Sequence, residues 1–109
     1  MNAKTLKALK GSIRKWEDII AGTGVDQGVY NCALCSLFYW AKKHCVFCPV
    51  FIETGKQYCY ESPYADWVAH QRDWHHVPIN KYHIICLACH RLAKAELAFL
   101  KSLLPKEKP

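Results

Sequence analysis

Seven cysteines fall within 109 residues, six of them as Cys32-x-x-Cys35, Cys45-x-x-Cys48 and Cys86-x-x-Cys89, with Cys59 standing alone. This pattern constrains the chain more than any other feature. Two thiolates separated by two residues reach adjacent corners of a tetrahedron from one tight turn, and the backbone amides of that turn hydrogen-bond the sulfurs. A single pair would also suit a thioredoxin-like redox site, but three pairs without a surrounding strand-and-helix setting favour metal ligation.

Disulfides are the other use of so many cysteines, and they belong to oxidising compartments. Export would require an apolar stretch near the N-terminus, whereas residues 1–10 are interrupted by Lys4, Lys7 and Lys10 with no cleavage signature after them. No apolar run is long enough to span a bilayer. The expectation is a cytoplasmic protein with reduced thiols and no membrane partner.

A structural zinc takes four ligands, so two pairs close one site and the third pair with Cys59 falls one ligand short of a second. The expected partition joins Cys32, Cys35, Cys45 and Cys48, then Cys59, Cys86 and Cys89 with a histidine. His90 beside Cys89 is the first choice for that histidine. His44 and His83 also lie close to the pairs in sequence, whereas His70, His75 and His76 lie on or just beyond a helix. A single zinc on the first four cysteines, with the others as buried thiols, remains open. So does an iron–sulfur cluster, although the spacings depart from ferredoxin runs.

Around the cysteines the chain reads as helical. Leu6, Leu9, Ile13, Trp16 and Ile20 recur at spacings of three and four, predicting an amphipathic helix over 3–21 that Gly22-Thr23-Gly24 ends. Residues 25–61 form the cysteine-rich centre, punctuated by glycine and proline and with a full helical period only over 36–43. Ser62-Pro63 reads as a helix N-cap followed by proline at the first position, and Tyr64, Trp67, Val68, Gln71 and Trp74 continue one face. Val77-Pro78-Ile79-Asn80 breaks that helix. Ala93, Leu97, Leu100 and Leu104 resume the period in a helical half extending to 104, before a tail over 105–109. With 51% hydrophobic residues, the length suits one domain over 1–109, since division would leave each half too little core.

The formal net charge is +6. Lys4, Lys7, Lys10 and Arg14 line the polar face of the first helix, with Lys15 beside them. Glu17 and Asp18 sit at its C-terminal end, an order opposite to what the helix dipole prefers. These basic residues are read as a contact for nucleic acid or a protein partner, against the simpler reading of a solvated face. Phe38, Tyr39, Trp40, Tyr58, Tyr60, Trp67 and Trp74 flank the pairs, read as core filling before base stacking. No phosphate loop or nucleophile elbow is present, and Asp66 and Asp73 read as surface charges, so neither an enzyme nor a small-molecule substrate is indicated.

Asn31-Cys32-Ala33-Leu34-Cys35, Cys45-x-x-Cys48-Pro49-Val50, Thr54-Gly55, Cys59 and Pro63-Tyr64-x-x-Trp67 together resemble a group of small cysteine-rich proteins of tailed bacteriophages and prophages. The likeness covers about half the chain, from Trp16 to Trp67, and does not include Cys86 and Cys89. It implies an origin and a metal site but no reaction. His75-His76-x-Pro78 followed by Ile85-Cys86-x-x-Cys89-His90 resembles pieces of the HNH nuclease finger, which would imply a metal-dependent nuclease, but the gap between them is too short for the usual hairpin. The expectation is a small α-rich zinc-binding domain, two or three helices packed on Cys-x-x-Cys knuckles with one or two Zn2+ per chain. It would act as a non-enzymatic phage accessory protein binding a host protein or nucleic acid, with a minimal HNH-like nuclease as the alternative.

Overall fold

The first helix has the residues to start and stop itself. Asn2, extended at φ −80° and ψ 171°, accepts the Thr5 N–H on its side-chain oxygen at 2.8 Å. Gly22 at φ 82° closes the other end, its N–H directed to the carbonyls of Asp18 and Ile19. Positive φ at this position is what glycine permits without a Cβ penalty. The result is α1, Ala3–Ala21, in a computed structural model that describes residues 1–27, 30–38, 48–55, 62–75 and 86–105. Among the described residues 77% are helical and none forms a strand.

The remaining elements follow the cysteines. Two short helices, α2 (Ala33–Phe38) and α3 (Pro49–Thr54), begin immediately after Cys32 and Cys48. The helix expected over 36–43 therefore starts three residues earlier, and residues 39–47 lie outside the described set. Ser62 caps α4 (Pro63–His70), accepting the Tyr64 N–H at 3.3 Å, and proline occupies the first turn as expected. A π-helical turn, Gln71–His75, continues α4. Finally α5, Leu87–Ser102, starts directly after Cys86.

Packing follows the apolar stripes. Helix α1 packs against α2 and α5, and α5 also packs against α4. The core holds Leu9, Ile13, Trp16 and Ile19 from α1, Leu34 from α2, Trp67 from α4, and Cys89, Ala93 and Leu100 from α5, with Cys48 and Val50. Ile19 rather than Ile20 completes the inner face of α1, with Ser12 buried among its apolar neighbours. Trp16 meets Trp67 edge to face, centroids 5.1 Å apart, and Tyr64 at 5.9 Å. Such pairs add to the area they bury. Trp67 and Phe38 thus serve packing, as expected. Tyr39, Trp40, Tyr58 and Tyr60 lie outside the described residues, as does the side chain of Trp74.

Two features fix the first cysteine turn against α1. A Cβ on Gly11 would come within 2.9 Å of the Ala33 Cβ, so α1 and α2 approach too closely there for an unshifted side chain. Beside it the Ser12 hydroxyl accepts the Leu34 N–H at 3.3 Å and lies 3.7 Å from Cys32 Sγ. Among the described residues no helix is long and apolar enough to cross a membrane.

Candidate metal centre

Cys86 is extended, at φ −115° and ψ 159°, and its sulfur accepts the Cys89 N–H at 3.2 Å, capping α5 where serine or aspartate often stands. This leaves Cys86 and Cys89 on one side of the first turn of α5. Helix α4 ends opposite them. Its last residue, His70, brings Nε2 to 3.3 Å from Cys86 Sγ, and the next residue, Gln71, donates from Nε2 to Cys89 Sγ at 3.3 Å. The donor atoms of His70, Cys86 and Cys89 lie within 4.8 Å of one another.

The donor set fits a tetrahedral ion. Zn–S of about 2.3 Å and Zn–N of about 2.0–2.1 Å place neighbouring corners about 3.6–3.8 Å apart, a spacing this group reaches with small adjustments. Two sulfurs and an imidazole also match the borderline-soft character of zinc better than that of an oxygen-seeking cation. Burial acts on both thiols and raises Cys89, which is fully inside. At Cys86 the N–H and thiol donors from Cys89, with the Ala88 amide, outweigh burial and lower it.

The Cys32–Cys35 turn repeats the same local geometry. Cys32 Sγ accepts the Cys35 N–H at 3.3 Å, and α2 starts at the next residue. The side-chain hydrogen bond from Cys35 is the chief influence. Helped by the backbone donor, the Lys15 charge and Ser12, it carries Cys32 down to about 6 against the opposing effect of burial. Cys48 is buried before α3. Among the described residues no disulfide joins Cys32, Cys35, Cys48, Cys86 and Cys89 to one another. Among the described residues Cys32, Cys35 and Cys48 do not form a second three-ligand group of the His70 kind. Cys45 and Cys59, assigned to the two sites in the sequence, lie outside the described residues.

The histidine that the structure brings to Cys86 and Cys89 is His70. His90 is on α5 beside Cys89, but its Nε2 is buried with no hydrogen-bond partner among the described residues and is not one of the three converging donors. Proximity in sequence pointed to His90; on a helix, though, the next residue turns about 100° away from its neighbour. The signal for the opposing side was a polar residue, Gln71, on the buried stripe of α4, with His70 adjacent. His44, His76 and His83 lie outside the described residues, as does the side chain of His75.

Of the basic residues, Lys4, Lys7, Lys10 and Arg14 are exposed on α1, and Arg14 Nε lies 3.2 Å from Asp18 in a solvent-facing pair. Lys15 leaves that row. Its side chain is 9% exposed and its ammonium lies 2.7 Å from Asp26 Oδ1, while Asp26 Oδ2 accepts from Tyr64 Oη at 3.0 Å and Trp67 Nε1 at 3.1 Å. Lys15 therefore ties α1 to the following loop and, through Asp26, to α4. Nearby, Glu96 is buried on α5 with Oε1 unpartnered among the described residues. Burial, the Cys32 thiolate and Asp26 push its carboxyl up to about 8 against the pull of Lys15. No protein-family model, curated protein or solved structure matches the chain.

Proposed function

We propose that this is a zinc-organised binding protein in which His70, Cys86 and Cys89 hold one ion, and that it acts by docking on a macromolecular partner and not by catalysis. The supporting observation is the convergence of an imidazole from α4 with two thiols from α5. Zinc there would fasten α4 to the first turn of α5, adding its binding energy to the small core. Cys59 is the proposed fourth ligand, and Cys32, Cys35, Cys45 and Cys48 form the proposed second site. Following the sequence resemblance, the chain would be an accessory factor of phage origin.

The exposed row Lys4, Lys7, Lys10 and Arg14 is the proposed partner surface, and a phosphate-bearing polymer suits it best. Four cations lie along one face of α1, and Lys4 and Lys7 add their charge to the positive end of the helix dipole. Native mass spectrometry of the purified protein tests the metal reading. One or two zinc ions per chain are expected, with one lost on Cys86→Ser together with Cys89→Ser. A metal-free wild type, or a variant that keeps the full complement, would overturn it.

A further inference from the structure

The two sulfurs of the Cys86–Cys89 pair accept N–H donors of different kinds. Cys86 Sγ accepts from the backbone of Cys89 at 3.2 Å, a bond the turn supplies whatever its side chains. Cys89 Sγ accepts from the Gln71 side chain at 3.3 Å, and that donor depends on one residue. Gln71 is 6% exposed, at a position where the stripe of α4 otherwise carries Trp67, and its Oε1 is buried without a partner among the described residues. An apolar side chain there would leave no such orphan. The same residue opens the π-helical turn, a widened turn often found at functional sites.

We infer that Gln71 is a positioning residue of the metal centre, its carboxamide N–H holding Cys89 as a ligating thiolate while His70, one residue earlier, takes the adjacent corner. This rests on the metal reading proposed above. Outer donors of this kind orient a ligand and tune its basicity, and their loss costs about 10–100-fold in metal affinity. The consecutive pair His70-Gln71 then faces Cys86-x-x-Cys89 one to one, His70 on Cys86 and Gln71 on Cys89.

The test uses the full-length chain with Gln71→Met, which keeps length and apolar packing, and Gln71→Glu, which keeps shape but removes the donor when ionised. Zinc affinity is measured by competition with a chromophoric chelator, and cobalt(II) replaces zinc to report the thiolate-to-metal charge-transfer band. The expected result is about a 10–100-fold loss of affinity in both variants. It should come with a shift of the band to lower energy, because a thiolate without its hydrogen bond gives up charge more readily. A packing defect alone would not move the band at unchanged stoichiometry. Should Gln71→Met fail to fold, Gln71→Glu carries the same readouts. Variants that match wild type in affinity and band position would overturn the role of Gln71 alone, while a wild type that binds neither metal would overturn the metal reading with it.

Discussion

Glu96→Gln isolates a costly ionisation in the core. Glu96 is 4% exposed, and burial, reinforced by the charge of Cys32 and Asp26 and opposed by Lys15, pushes its carboxyl from the ordinary 4.5 up to about 8. The folded protein therefore binds this proton more tightly than the unfolded chain does. Stability from this group is fully present below pH 4.5 and is lost progressively as pH rises toward 8. At about 1.36 kcal/mol per pH unit, the loss accumulated between pH 5 and 8 is on the order of 3 kcal/mol. Glutamine keeps the shape and cannot ionise, so Glu96→Gln removes that slope while sharing every other titrating group. Urea unfolding of both proteins followed by circular dichroism, at fixed zinc and at steps from pH 5 to 8, gives the difference directly. The variant should gain on the wild type as pH rises, by about 3 kcal/mol across the range. Parallel stability curves would refute the buried, proton-binding carboxyl.

Three further outcomes follow from the packing and the surface. Trp67→Ala empties the centre of the aromatic cluster and removes one donor to Asp26, so chemical unfolding should show a loss of about 3–5 kcal/mol. Gly11→Ala would ordinarily stabilise a helix interior by up to about 1 kcal/mol. Here the new Cβ meets Ala33 at 2.9 Å, and the melting temperature should fall instead of rising. If Lys4, Lys7, Lys10 and Arg14 each neutralise one duplex phosphate, affinity for double-stranded DNA should fall about 10²-fold between about 50 and 200 mM salt. Changing all four to glutamine should abolish that dependence in a fluorescence-anisotropy titration, whereas binding insensitive to both changes points to a protein partner.

The long helices were legible because their signals are local. Leu9, Ile13 and Trp16 repeat at helical spacing over about two turns of α1, Gly22 sits where a left-handed residue must, and Ser62-Pro63 marks the start of α4. Helices α2 and α3 were not legible, since six residues are under two turns and no period can be read from them. Each begins at a cysteine, so the cysteine turn and not an apolar stripe sets where they start. At the candidate site, the turn that brings Cys86 and Cys89 together was legible from their spacing. His70 was not, because its place depends on how α4 lies across α5, a contact between residues 16 apart. Lys15 was grouped with the exposed row because it follows Arg14, but one residue further round α1 turns it inward, where Asp26 balances its charge.

X-ray absorption at the zinc edge reads directly whether an imidazole and two thiols share one zinc. The expected shell is sulfur at about 2.3 Å with an imidazole nitrogen at about 2.0–2.1 Å, the imidazole contribution being lost in His70→Ala. An oxygen-only shell, or an imidazole signal undiminished in that variant, would contradict it.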